Sequence, residues 1–311
     1  MTLTELRYIV AVARERHFGR AAEACFVSQP TLSVGIRKLE EELGVALFER
    51  GGEVRLTAVG ERVVEQAQRV LEGAERVLDI AKQGKDPLAG PLRLGVIYTV
   101  APYLLPEVVR LLHKRAPNMP LLLQENYTHR LREMLKQGEI DAAILALPFE
   151  EPGFAIQPVY DEDFVVAVPR EHAWTGRKSL KAAELKKEPM VLLGTGHCFR
   201  DQVLEASPEL ERRGADGMRR TFEGSSLETI RQMVASGVGI TVLPATSLPR
   251  KVPRDSLLAY LPFSAPVPDR RVALVYRKSF PRRAAIEALR QAILEAELPG
   301  ARKLDVEPAP G

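Results

Sequence analysis

The chain predicts a mixed fold: a small all-α head carrying a hairpin, one long linker helix, and an α/β domain of two lobes. Three observations carry that expectation. Three short helical patterns are crowded ahead of Gly44. No proline falls between Thr57 and Pro87, and across that stretch Val63, Ala67, Val70, Ala74, Val77 and Ala81 are spaced alternately by four and three. After Pro91, strand-like apolar runs alternate with helical patterns.

The 311 residues fit two domains at roughly one per 150 residues. A net charge of +3 is close to neutral for this length, so bulk charge neither argues for nor excludes nucleic acid. No apolar run approaches the ~20 residues of a membrane span, and the N-terminus lacks a charged segment followed by an apolar one. A cytoplasmic protein with no membrane partner is therefore expected. Cys25 and Cys198 are the only cysteines, so no disulfide framework holds the fold. With five histidines and none at metal-ligand spacing to a cysteine, neither a metal nor another cofactor is expected.

In the head, Thr2 to Glu5 has capping-box spacing, and Leu3, Leu6, Ile9, Val10 and Ala13 follow at helical intervals. A second short helix spans Phe18 to Phe26, with Ala21 and Ala22 small enough for close packing. Ser28 reads as an N-cap and Pro30 falls in the first turn of a third helix, which carries the stripe Leu32, Ile36, Leu39 and Leu43 and ends at Gly44. Its opposite face holds Gln29, Thr31, Ser33, Arg37 and Lys38, types that hydrogen-bond to base edges and phosphates. This is the layout of a helix-turn-helix. Leu47 to Thr57 reads as two short strands about Gly51-Gly52, a wing from which Arg50 or Arg55 could reach a phosphate. A helical bundle used for protein contacts stays open on these residues, because acidic side chains match the basic ones.

The combination Ala21-Ala22, Ser28-Gln29-Pro30, Leu32-Ser33, Ile36, Leu39-Glu40 and Leu43-Gly44 resembles the N-terminal domain of LysR-type transcriptional regulators. The resemblance implies a winged helix-turn-helix over residues 1–58 that meets double-stranded operator DNA through Ser28, Gln29, Pro30, Thr31, Ser33, Arg37, Lys38 and Arg50.

Residues 59–90 form the linker helix and a Gly/Pro-punctuated hinge from Lys82 to Pro91. The heptad seam of small residues calls for a partner, and the resembled family uses such a helix for an antiparallel homodimer, with a homotetramer as the expected assembly. Residues 91–300 should form parallel α/β units: strands at Leu92 to Ile97, Pro120 to Glu125 and Ala142 to Ala146, then Phe164 to Val168, Met190 to Leu193, a strand ending at Pro244, and Val272 to Tyr276. Helices intervene at Leu104 to Lys114, His129 to Gln137, Leu227 to Ala235 and Arg283 to Ala296. Two such units leave a cleft between lobes, and the LysR resemblance gives them the periplasmic-binding-protein architecture. Residues 301–311 read as a mobile tail.

Gly194-Thr195-Gly196-His197-Cys198 is the stretch richest in chemistry. The glycines let the chain turn from a buried strand into a helix, placing Cys198 near a helix N-terminus where orphan N–H groups favour a thiolate; His197 or Arg200 could add to this. A buried structural thiol is the competing reading.

Thr99 to Pro106, Thr128-His129, Gly196 to Gln202 and Ser226 to Thr229 together resemble the OxyR subfamily, the hydrogen-peroxide-sensing members. The resemblance implies that Cys198 is oxidised to a sulfenic acid, that Thr99, Thr128 and His197 hold the peroxide, that Arg200 supports the thiolate and that Asp201 orients Arg200. The chain departs from the subfamily where a second, resolving cysteine is usual: it has Ser207 followed by Pro208. A one-cysteine sensor is expected, stopping at the sulfenic acid or forming a mixed disulfide with a small thiol. RNA polymerase is a further candidate partner. The rival readings are a regulator that binds a small organic ligand in the interlobe cleft and a thiol peroxidase-like enzyme; the head and linker helix argue against the enzyme.

Overall fold

The computed structural model describes residues 1–49, 54–83, 86, 88–208, 210 and 221–304. The head comprises α1 (Leu3–Glu15), α2 (Phe18–Ala24) and α3 (Gln29–Leu43). Thr2 accepts from the Glu5 N–H at 3.2 Å while Glu5 accepts from the Thr2 N–H at 2.8 Å, closing the capping box. Ser28 caps α3 by accepting from the Thr31 N–H at 3.3 Å, and Gly44 ends it at φ 69°, a left-handed conformation suited to glycine. Ile9, Val12, Leu32 and Leu39 form the core. The wing is reduced, among the described residues, to one antiparallel bridge between Phe48 and Leu56; Arg50 and Gly51-Gly52 lie outside them.

The linker helix is α4 (Ala58–Gln83), about 39 Å long at 1.5 Å per residue. Its seam is divided. Ala67 is buried in the head core, with Val63 packed beside it, whereas Val70 and Val77 are 38% and 67% exposed.

The second domain opens with β1 (Leu92–Ile97), α5 (Ala101–Arg115), β2 (Leu121–Asn126), α6 (Thr128–Lys136) and β3 (Ala142–Ala146). Then β4 (Phe154–Pro169) crosses into the other lobe, built from β5 (Met190–Leu193), α7 (Cys198–Ala206), β6 (Thr221–Gly224), α8 (Leu227–Ala235), β7 (Thr241–Pro244) and β8 (Leu258–Pro262). The chain returns through β9 (Asp269–Arg277) to α9 (Arg283–Glu295) and β10 (Ala301–Lys303). β1 is parallel to β2 and β3, and β5 to β6. The expected all-parallel pattern is corrected at the crossing: β9 is antiparallel to β3 and β4, and β7 and β8 are antiparallel to β4. A chain that leaves one lobe and must come back inserts its return strand in the opposite sense. Each lobe keeps its own core, one around Leu94, Ile144 and Leu274, the other around Phe164, Leu192 and Ile230.

Two features were not anticipated. Ala301–Lys303, assigned above to a mobile tail, pairs antiparallel with Tyr160 to Glu162, and the Lys303 ammonium donates to the Ile293 carbonyl at 2.7 Å. The sensor domain also holds α4. Glu72, buried on α4, lies 2.8 Å from the Arg277 guanidinium and accepts from the Ser279 hydroxyl at 2.7 Å. Arg277 donates in addition to the Leu135 and Ile140 carbonyls. Burial pulls the Arg277 pKa below the ordinary arginine value, although the Glu72 carboxylate opposes that shift.

Glu72→Ala would leave the Arg277 charge buried without its counter-ion, so urea unfolding of the full chain should show a loss of about 3 kcal/mol. Glu72→Gln should cost less, and an unchanged midpoint for Glu72→Ala would mean that this contact holds nothing.

Candidate functional site

Three strand-to-helix junctions meet at one small cavity. β1 enters α5 through Ile97, Tyr98 and Thr99; β2 enters α6 through Asn126, Tyr127 and Thr128; and the chain after β5 enters α7 through Gly196, His197 and Cys198. The turn into α7 depends on Gly196, whose φ of +99° suits only glycine; a Cβ there would also meet the Tyr127 ring at 3.4 Å. His197 is the N-cap and Cys198 the first helical residue. The positive ends of three helices are thus turned toward the same space, which favours negative charge there. The cavity leaves about 10 Å³ for the centre of a water-sized sphere, close to the room needed by one water molecule.

The polar groups around this space are unequal. The Thr128 hydroxyl is buried with no hydrogen-bond partner among the described residues, although Thr128 opens α6 where a threonine often serves as a cap. Thr99 is 2% exposed, and its Oγ1 accepts from the Arg270 guanidinium at 2.8 Å while its carbonyl accepts at 3.1 Å. The Thr99 proton is therefore free for another acceptor. His197 is buried, and burial holds its imidazole below the ordinary value, partly offset by a backbone hydrogen bond with Ser225. Its ring is neutral at pH 7.

Behind the cavity lies a fully buried ion pair. Arg270 donates through Nε to Glu162 Oε1 at 2.7 Å, and Glu162 Oε2 accepts from the Thr246 hydroxyl at 2.5 Å. The guanidinium also sits 4.9 Å over the Phe199 ring. Burial disfavours the Arg270 charge, but Glu162, Tyr160 and Cys198 outweigh it and raise its pKa above the ordinary arginine value. A permanent cation therefore stands next to Thr99 and within electrostatic reach of Cys198.

Of the sequence candidates, Thr99, Thr128, His197 and Cys198 are brought together. Arg200 and Asp201 are not. The Arg200 guanidinium donates to the Leu193 carbonyl at 2.7 Å and pairs with Glu223 at 2.9 Å, and Asp201 is exposed on α7. Residues at i and i+2 on a helix point to different sides, so Arg200 cannot share the face of Cys198, and neighbours at i and i+1 do not orient one another. The guanidinium that reaches the cavity lining is that of Arg270, which donates to Thr99. Sequence reasoning missed it although a signal existed: Arg270 has the strand parity of the buried Val272 and Leu274.

Ser207 is 1% exposed and its hydroxyl donates to the Ala182 carbonyl at 3.2 Å. Cys25 and Cys198 are both free thiols, the first packed against the head core and the second against a lobe core. Burial raises the Cys25 thiol pKa, against the pull of Arg14 and Arg7.

On the head, Gln29, Pro30, Thr31, Arg37 and Lys38 of α3 are exposed, and Ser33 is half-buried. Ser28 spends its hydroxyl on the cap, and Lys38 lies 3.7 Å from Glu5. Val34, 64% exposed on the same helix, was not anticipated; an apolar side chain there suits a thymine methyl.

Residues 3–61 match the family described as bacterial regulatory helix-turn-helix protein, lysR family, and residues 85–297 match the LysR substrate binding domain. The chain is 44% identical to the hydrogen peroxide-inducible genes activator of Pectobacterium carotovorum subsp. carotovorum over 95% of its length and 96% of that protein. It is 43% identical to the DNA-binding transcriptional dual regulator OxyR of Escherichia coli K12, covering 94% and 95%. Among solved structures it is similar to a full-length variant of OxyR from Pseudomonas aeruginosa, with 50% identity, 99% of each chain covered and a TM-score of 0.82. A Corynebacterium glutamicum OxyR mutant described as H2O2-bound matches with 36% identity over 94% of this chain and 91% of that one, at a TM-score of 0.61.

A pH dependence follows from His197. Its folded pKa lies below the 6.5 of a free histidine, so its contribution to stability is complete above that value and is lost as pH falls through the lower folded value. Urea midpoints measured across this range should fall on the acid side, and His197→Gln should flatten the fall. An equal slope in both proteins would contradict the assignment.

Proposed function

Because the chain belongs to the LysR family of transcriptional regulators, and within it to the OxyR group, we propose that it regulates transcription in response to hydrogen peroxide, with Cys198 as the redox centre. One observation supports this above the others: the free thiol shares a water-sized cavity with the unpartnered Thr128 hydroxyl and with Thr99, whose hydroxyl accepts from a buried cation. A space of that size takes a peroxide far better than an organic effector.

The Cys198 thiolate attacks one peroxide oxygen. An S–O bond forms as the O–O bond breaks, sulphur gives up two electrons, and the departing hydroxide takes a proton to become water. The Thr99 and Thr128 hydroxyls donate to the oxygen on which charge develops, Arg270 polarises Thr99, and the three helix N-termini stabilise the charge while it lasts. The neutral His197 ring caps the cavity and can take or return a proton. The product is a sulfenic acid. Ser207 gives it no resolving thiol, so it persists or condenses with a small thiol.

Oxidation reaches the head through β9, which carries Arg270 at the cavity and Arg277 at the clasp on Glu72 of α4. A shift of Arg270 when Cys198 changes charge and size would move the clasp and so the linker helix. The exposed Val70 and Val77 suit an antiparallel homodimer through α4, and paired dimers would set the spacing of heads on the operator. There α3 enters the major groove with Gln29, Thr31, Arg37 and Lys38, and Arg50 follows the backbone. Such a regulator works in the cytoplasm, beside the DNA and within reach of RNA polymerase.

Intact-mass spectrometry of the reduced protein after a stoichiometric pulse of hydrogen peroxide tests the redox assignment. A rapid gain of one oxygen that vanishes in Cys198→Ser is the expected result. No rapid gain, or one that survives in the mutant, would refute it.

A further inference from the structure

The three junctions around the cavity repeat a pattern of which the chemistry above uses only the His197 ring. Each supplies a polar residue preceded by a ring: Tyr98-Thr99, Tyr127-Thr128 and His197-Cys198. The three rings close on one another. Tyr98 meets Tyr127 edge to face at 5.3 Å and His197 at 5.8 Å, and Tyr127 meets His197 at 4.8 Å. Exposed His129 stacks on Tyr127 at 5.6 Å with only 10° between the planes, bracing it from the solvent side. Tyr127 in turn covers Gly196, the residue whose backbone aims Cys198.

We propose that Tyr98, Tyr127 and His197 form an aromatic gate that selects the oxidant of Cys198 by size, admitting hydrogen peroxide and excluding alkyl hydroperoxides. The inference rests on the reading of Cys198 as the peroxide-reactive thiol. The cavity that these rings line together with Thr99, Thr128 and Cys198 has room for about one water molecule, which two bonded oxygens can occupy with a small displacement. An alkyl hydroperoxide brings the same O–O bond with carbon atoms attached, and these have space only if a ring leaves the triangle. The reaction itself is unchanged: sulphur takes the terminal oxygen, the O–O bond breaks, and the alkoxide takes a proton from water to leave as an alcohol. The discrimination therefore lies in access rather than in chemistry. The gate also shields the product. Glutathione would have to pass the rings to attack the sulfenic sulphur, forming the mixed disulfide and releasing water. In a chain with Ser207 in place of a resolving cysteine, that barrier preserves the signalling state.

The test is the second-order rate of Cys198 oxidation in the full-length reduced protein, followed by quenched mass spectrometry, with hydrogen peroxide and with tert-butyl hydroperoxide. The ratio of the two rates is the readout, taken in variants whose urea midpoints match wild type, because a general loosening of the fold would also admit the larger oxidant. Tyr127→Ala and, as an independent variant, Tyr98→Ala should lower the preference for hydrogen peroxide by about tenfold or more, while Tyr127→Phe, which keeps the ring, should retain it. Ratios unchanged in both alanine variants, with hydrogen peroxide still oxidising Cys198, would overturn the gate alone. A wild-type protein that fails to react with hydrogen peroxide would instead overturn the reading of Cys198, and the gate with it.

Discussion

Glu162 and Arg270 face each other across β4 and β9 with no solvent at either side chain, and much of the sensor domain is arranged to make that tolerable. Taking two charges out of water costs several kcal/mol per ion, recovered only when each remaining donor and acceptor finds a partner. Thr246 from one lobe satisfies the second carboxylate oxygen, Thr99 from the other accepts from both terminal nitrogens of Arg270, and Phe199 of the redox helix covers the guanidinium face. The pair therefore fixes how the two lobes meet at their crossing strands. It also holds a positive charge beside the cavity without leaving it open to solvent.

The reactive stretch was legible because its signals are local. Two glycines after an apolar run predict a turn, and a turn into a helical pattern puts Cys198 at the helix start. The cation was not, because its position is set by register between distant strands. Asp161-Glu162-Asp163 interrupts the apolar pattern, so the strand expected at Phe164 to Val168 in fact begins at Phe154; only Arg270, more than a hundred residues on, makes a buried Glu162 possible. Arg200 is close to Cys198 in sequence, but helical geometry turns it toward Leu193 and Glu223. In the tail, Ala301–Lys303 has no strand pattern of its own and is ordered by the edge of β4.

The chain also separates its two thiols by environment. Cys25 serves a helical core where a small apolar side chain is needed, and burial keeps it as a thiol. Cys198 stands where three helix dipoles and a cation converge. With Ser207 standing where a resolving cysteine is usual and Cys25 packed against the head core, the lifetime of an oxidised Cys198 would depend on what reaches the cavity. At the other end of β9, the Glu72–Arg277 contact gives the sensor domain a hold on the linker helix, the route by which the proposed redox change would reach the heads.

If the buried cation behind Thr99 makes Cys198 responsive to peroxide, deleting that charge should slow the oxidation. Removing Arg270 alone would strand Glu162 in the core, so the decisive comparison is Arg270→Gln in a Glu162→Gln background, which deletes both charges and leaves neither unpaired. Stopped-flow measurement of the second-order rate of Cys198 with hydrogen peroxide should show a fall of about a hundredfold or more relative to wild type, the cost of losing a preorganised electrostatic donor. A rate equal to wild type in the folded double variant would contradict the account and return the reactivity of Cys198 to the helix terminus alone.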